Sequence, residues 1–116
     1  MSKSLMWLAG EVKTPPMGLE ARREMGFLLR RLQEGETLSL PHSRPMPSIG
    51  KSCHELRVND ETKTWRLFYL LDSAANRLVI LDVVEKKTQK TAQTVIDACI
   101  QRRKNYEAFK RSETEN

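Results

Sequence analysis

Three apolar runs, His54–Val58, Thr64–Leu71 and Leu78–Val84, follow one another with only short polar stretches between them, and this succession constrains the fold more than any other feature. The runs are rich in β-branched and aromatic residues. They are bounded by Asn59-Asp60-Glu61-Thr62-Lys63 and by Asp72-Ser73-Ala74-Ala75-Asn76, which read as turns. The expectation is an antiparallel meander.

Two helices flank it. From Leu19 to Glu34, the apolar residues Ala21, Met25, Leu28, Leu29 and Leu32 share one helical face, and Gly35 supplies a C-terminal stop. From Ala92 to Phe109 a second face gathers Ala92, Val95, Ile96, Cys99 and Tyr106, with Thr91 or Thr88 placed to cap its start. Gly26 costs the first helix about 1 kcal/mol relative to alanine. Phe27 falls off its apolar stripe, as either a second contact surface or an aromatic tucked against a loop.

Leu5-Met6-Trp7-Leu8, ended by Gly10, reads as a first or edge strand. Residues 36–52, with Pro41, Pro45, Pro47 and Gly50, show no sustained period and read as an ordered loop in which His42 and Arg44 would merely be solvated. The fold class expected is therefore α+β, a small, mainly antiparallel four-stranded sheet packed with an N-terminal and a C-terminal helix. At 116 residues the chain has room for one core, expected over residues 1–111, followed by a polar C-terminal tail at 112–116.

The overall charge of +5 is unevenly spread: from Lys86 to Arg111 there are eight basic residues against two acidic ones. That field points to a polyanionic partner. No apolar stretch approaches the roughly 18 residues a membrane-spanning helix needs, and residues 1–7 lack the apolar core of a secretory signal, so a cytoplasmic protein with no membrane partner is expected. Cys53 and Cys99 have no metal-ligand spacing and read as free thiols, with no metal or other cofactor expected.

If each hairpin is symmetric about its loop, Val58 pairs with Trp65, Arg57 with Arg66 and His54 with Tyr69. In the second hairpin Arg66 then pairs with Asp82, Phe68 with Ile80 and Leu70 with Leu78. Leu56, Val58, Trp65, Leu67, Leu71, Val79, Leu81 and Val83 would form the core face under the first helix. Arg57, Arg66, Asp82 and Lys86 would share the charged end of the other face. Two arginines directly opposite repel, so their row needs a compensating acid or a shared anion. Two readings follow: a solvated Arg57, Arg66, Asp82 ion network, or a phosphate clamp of forked guanidinium donors with Lys86 and Lys87 beside it. On a regular strand only Lys86 shares the face of the two arginines.

The ordered set Trp7-Leu8, Ala21-Arg22-Arg23-Glu24-Met25-Gly26-Phe27, His54-Glu55-Leu56-Arg57, Trp65-Arg66-Leu67-Phe68-Tyr69 and Lys86-Lys87-Thr88-Gln89-Lys90-Thr91 resembles the HigB-like, phage-derived branch of the RelE/ParE toxin superfamily over residues of about 5–105. The resemblance implies the toxin half of a type II toxin-antitoxin pair. It implies a cognate helix-turn-helix antitoxin protein as partner and, in many relatives, cleavage of mRNA on the ribosome. It carries the family arginines to Arg57 and Arg66, the strand tyrosine to Tyr69 and the paired lysines to Lys86 and Lys87. Leu81-Asp82-Val83-Val84 departs from the Leu-His-x-Phe of relatives, so a histidine suited to proton transfer is missing. Ala92 stands where a proline is usual.

Metal-free RNA cleavage uses the substrate's 2′-hydroxyl as nucleophile. The candidates for that chemistry are Arg57 and Arg66 for charge stabilisation, Lys86 for positioning, and His54, Tyr69, Asp82 or a lysine of lowered pKa for proton transfer. Lys87, Lys90, Arg102 and Arg103 are the candidates for RNA binding. Two rivals stand beside this reading: a non-enzymatic, ParE-like inhibitor of DNA gyrase, and an RNA- or ribosome-binding module that neutralises phosphates without cutting.

Overall fold

The computed structural model describes residues 2–86 and 90–115, the side chain of Glu115 excepted. In chain order the elements are β1 (Ser4–Trp7), α1 (Leu19–Gln33), β2 (Ser43–Pro45), β3 (Cys53–Asn59), β4 (Thr64–Asp72), β5 (Arg77–Lys86) and α2 (Gln93–Glu115). They build a five-stranded sheet in the order β1-β5-β4-β3-β2. The fold is α+β as expected, but the sheet is mixed and has one strand more than four. β1 runs parallel to β5, and the stretch read as loop contributes β2, antiparallel to β3.

α1 covers one face of the sheet. Ala21, Met25, Leu28, Leu29 and Leu32 are all buried, so its apolar stripe is the one visible in the sequence. They pack on Leu56, Val58, Trp65, Leu67, Tyr69, Leu78 and Ile80. Each leucine buried in this way contributes about 1.5–3 kcal/mol. Gly35, at φ +95°, closes the helix with its N–H on the Leu32 carbonyl, a left-handed position that suits glycine. At the other end, Asp60 in the β3–β4 turn accepts from the Gly18 N–H at 2.8 Å and from the Trp65 indole at 3.0 Å. The Gly18 contact, before the indole, holds the Asp60 carboxyl below its ordinary range. A Cβ on Gly18 would lie 2.5 Å from an Asp60 oxygen, so the tie requires glycine. Gly26 faces open solvent, and Phe27 is 61% exposed with the Arg31 guanidinium over its ring.

α2 covers the opposite face. Ile96, Cys99 and Tyr106 are buried against Cys53, Phe68, Leu70, Val79 and Leu81, with Val95 partly buried. Ala92 is exposed and precedes the helix, its carbonyl accepting the first helical N–H groups. The helix runs on to Glu115, and Glu113 pairs with Arg77 at 3.0 Å. β4 is sandwiched between both layers, which is why Trp65–Leu70 reads as a nearly unbroken apolar run interrupted by one arginine.

The β3–β4 register is the one expected, with Val58 opposite Trp65, Arg57 opposite Arg66 and His54 opposite Tyr69. The β4–β5 register differs twice. Asp72 pairs with Arg77 across a four-residue turn, which offsets the ladder by one, and a shift between Phe68 and Tyr69 leaves Leu81 as an extra residue on β5. Near the turn the offset exchanges the faces. Leu78 and Ile80 lie under α1, while Val79 and Leu81 lie under α2, the reverse of the expectation. Past the bulge the two offsets cancel in parity, so Lys86 keeps its expected face. Its neighbours change, however, and Arg66 lies opposite Val84, while Asp82 lies opposite Phe68.

Candidate nucleic-acid interface

Period-2 alternation along β3 places Cys53, Glu55 and Arg57 on the α2 side of the sheet. Arg44 of β2 lies opposite Glu55, and Arg66 of β4 lies opposite Arg57. The compensating acid for the paired arginines is therefore Glu55, not Asp82. Its carboxylate is 1% exposed and meets three guanidiniums: Arg44 Nε at 3.0 Å, Arg66 Nε at 3.2 Å and Arg57 Nη2 at 3.7 Å. One negative charge against three positive ones leaves an excess of two positive charges, with Glu55 and Arg66 buried and Arg44 and Arg57 partly open to solvent.

Arg66 is itself buried, and its Nη1 donates to Thr91 Oγ1 at 2.8 Å, so Thr91 anchors a guanidinium instead of capping α2. Burial lowers the Arg66 pKa, Glu55 opposes that, and Arg57 and Arg44 add to it. Arg57 Nε is buried and makes no hydrogen bond among the described residues. A buried donor of this kind costs about 1–3 kcal/mol until an acceptor reaches it.

Lys86 ends β5 on the same face, and its ammonium loses basicity through desolvation first and then through the charges of Arg57 and Arg66. Two hollows border this end. One, of about 470 Å³, is lined by Arg66, Val84, Lys86, Lys90, Thr91 and Val95. The other, of about 580 Å³, is lined by Arg44, Pro45, Met46, Lys90, Thr91 and Ile96. They share Lys90 and Thr91, so together they form a continuous basic trough between the sheet and the start of α2. A more apolar hollow of about 410 Å³, between β1 and the later turns of α2, lies among Met6, Leu8, Tyr106 and Phe109.

The structure thus brings together Arg57, Arg66, Lys86 and Lys90 of the residues singled out in the sequence. Lys87 lies outside the described residues. His54 and Tyr69 lie on the α1 side, across the sheet from the arginines: their rings stack at 5.2 Å, and the buried Tyr69 hydroxyl is 2.7 Å from Ser43 Oγ. Burial raises the Tyr69 pKa. Asp82 is paired with Arg102 at 3.1 Å, and Arg102 also donates to the Leu81 carbonyl that the bulge releases from the ladder. Arg103 donates to the Ile49 carbonyl and to Glu107. Arg102 and Arg103 thus fasten α2 to the body of the protein. Glu55, Arg44 and Thr91 are the additions. Glu55 had a sequence signal, since it stands two residues before Arg57 and must share its face. Among the described residues, no group of three or more His, Cys, Asp or Glu side chains is gathered to hold a metal.

A mixed sheet sandwiched between two helices with this strand order defines a RelE-like fold. The chain matches the structure of the E. coli toxin RelE in the free state, in a mutant with two arginines changed to alanine. The match has a TM-score of 0.55 at 17% identity and covers 88% of this chain and 98% of that one. The model of the phage-derived protein Gp49-like family matches residues 17–104, and the chain belongs to that family. A search of curated proteins returned no match. The resemblance to the RelE/ParE superfamily is borne out by fold and family together.

Proposed function

We propose that this protein is the toxin of a type II toxin-antitoxin pair, HigB-like in kind, and that it acts in the cytoplasm as a metal-independent, ribosome-dependent mRNA endoribonuclease. The observation that carries this reading is the buried Glu55 carboxylate holding Arg44, Arg57 and Arg66 in one array beside Lys86. A fixed guanidinium array with excess positive charge is matched to the phosphorane-like charge that builds on a scissile phosphate. Its donors are oriented before substrate arrives, so little reorganisation is needed at the moment of reaction. Arg57 and Arg66 stabilise that charge, and Arg44 and Lys90 hold the flanking backbone in the trough. Lys86, its basicity reduced, is the proton donor at that end. The partner is a helix-turn-helix antitoxin that would mask this basic face.

A second reading is favoured by a specific observation. His54 and Tyr69 are across the sheet and Asp82 is tied to Arg102, so three of the four proton-transfer candidates stand away from the arginines. A module that grips RNA phosphates on the ribosome without cutting needs none of them. Induction of the protein, followed by mapping of mRNA 5′ ends alongside DNA supercoiling, separates the cases. New translation-dependent ends, lost in the Arg66→Ala, Lys86→Ala double variant, are expected. Growth arrest without new ends would support binding alone, and altered supercoiling with intact RNA would overturn the nuclease reading in favour of a gyrase target.

A further inference from the structure

The turn before β2 places one more titratable group beside the arginines. The β2–β3 ladder ends at Ser43 opposite Leu56, and His42 is the turn residue just before it. The Arg57 N–H donates to the His42 carbonyl at 2.9 Å, which holds His42 against Arg57, and the His42 N–H donates to the Ser39 carbonyl at 3.0 Å. Both backbone groups of a residue expected in a solvated loop are therefore fastened. His42 is half-buried and lines, with Arg57, a groove of about 690 Å³ that also takes in Glu24, Leu40, Pro41 and Asn59. Across the sheet Arg57, Arg66 and Val84 form one row, with His42 held beside Arg57 at one end and Lys86 two residues further along β5 at the other.

We propose that His42 is the second proton-transfer group of the site, acting as general base on the ribose 2′-hydroxyl. The proposal rests on the nuclease reading above. His42, in the turn just before β2, and Lys86, at the end of β5, stand to either side of the two clamp arginines on β3 and β4. Three strand spacings separate those two backbones by roughly 14 Å. Side chains leaning inward from both sides leave a span suited to an in-line displacement at a phosphate seated over Arg57 and Arg66, with one group at the attacking oxygen and the other at the leaving oxygen. The neutral imidazole accepts the 2′-hydroxyl proton as the O2′–P bond forms. The P–O5′ bond breaks, and the Lys86 ammonium delivers its proton to O5′. The products are a 2′,3′-cyclic phosphate and a 5′-hydroxyl end, and exchange with water restores both groups.

The charged groups near His42 are Arg57 on β3 and Glu24 on α1, which line its groove, Arg44 two residues on in β2, and Arg66 and Lys86 further across the sheet, with Glu55 beneath the arginines. Leu40, 69% exposed, and Pro41 form an apolar wall against which an unstacked base could rest beside the nucleophilic ribose.

The test measures cleavage rate from pH 6 to 9 in a reconstituted translation reaction, for the wild-type protein and for His42→Gln and His42→Ala. Both variants should lose about 10²- to 10⁴-fold in rate, as expected when a general base is removed. Both should lose the acidic limb of the pH–rate profile, and free imidazole should partly restore the His42→Ala variant. Their urea midpoints should match the wild type, because the bonds that fasten residue 42 are made by its backbone. Variants that cleave within threefold of wild type with the acidic limb intact would overturn the role of His42 while leaving the nuclease reading standing. A wild-type protein that makes no new RNA ends would overturn that reading, and the base assignment with it.

Discussion

Glu55→Gln should unfold this protein more readily than any surface change, because it removes the one acid beneath three guanidiniums. Arg66 Nε lies 3.2 Å from Glu55 Oε2, and a pair at that distance has a gross attraction of about 5 kcal/mol at an effective dielectric constant near 20. Much of that is offset by desolvation, since the side chains are 3% and 1% exposed. The contacts from Arg44 and Arg57, whose side chains are 38% and 32% exposed, are screened to about 1 kcal/mol or less each. What decides the outcome is the charge left behind. Breaking a buried pair by deleting one partner costs about 3–5 kcal/mol.

Taking the lower figure for Glu55→Gln, because an amide still accepts hydrogen bonds, and about 2.1 cal/mol/K of unfolding entropy per residue over 116 residues, Tm should fall by about 12 °C. Urea denaturation at neutral pH and calorimetry both read this. Adding Arg66→Met to Glu55→Gln should recover most of the loss, since it takes away the orphaned charge. A single variant within 1 kcal/mol of wild type, or a double variant no better than the single, would refute the account of Glu55 as the buried counter-charge.

Two further outcomes follow from the α2 side of the molecule. Burial works to raise the Asp72 carboxyl pKa, but hydrogen bonds from Lys110 and Tyr106 outweigh it and hold the group below its ordinary range. Its stabilisation is therefore complete above the unfolded value of about 3.9 and is lost as pH falls through the lower folded one. Asp72→Asn should flatten the acid side of a stability–pH curve measured by urea unfolding between pH 2.5 and 6, and an unchanged slope would disprove the linkage. Burial pushes the Cys53 thiol up to about 11 and the Cys99 thiol up to about 12. Native protein at pH 8 should thus resist a thiol-specific disulfide reagent over minutes and release two equivalents in denaturant; rapid native labelling would mean that the α2–sheet interface opens readily.

Local pattern carried the parts of this fold that depend on local pattern. The stripe on α1 and the pairing of Arg57 with Arg66 both follow from periodicities of one segment or one hairpin. β2 was illegible because three residues, one of them Pro45, have no period to read. Its place is set by pairing with β3 and by the Ser43–Tyr69 contact, 26 positions apart in the chain. The parallel pairing of β1 with β5 spans more than 70 positions and leaves no local trace.

In the candidate site, Arg57, Arg66 and Lys86 were legible from charge and alternation. Their counter-charge was missed because the second hairpin was assumed to be regular, which gave Asp82 to Arg66. His54 was placed opposite Tyr69 correctly, yet the meaning of that position was set by the face it shares, and that face is the α1 core. Arg44 looked like loop decoration for the same reason that β2 looked like loop.

The extra residue at Leu81 is also the place in β5 where the gene can lose one codon and keep the site's geometry. Without it β5 continues in the register set by its turn, Asp82 still follows onto Phe68, and Lys86 still meets Thr64 on the side of the arginines. What disappears is one buried side chain under α2 and the carbonyl that Arg102 holds. Length variation in this strand between related genes is therefore compatible with an unchanged clamp when it falls at the bulge, whereas a codon lost elsewhere in the strand has no spare residue to absorb it.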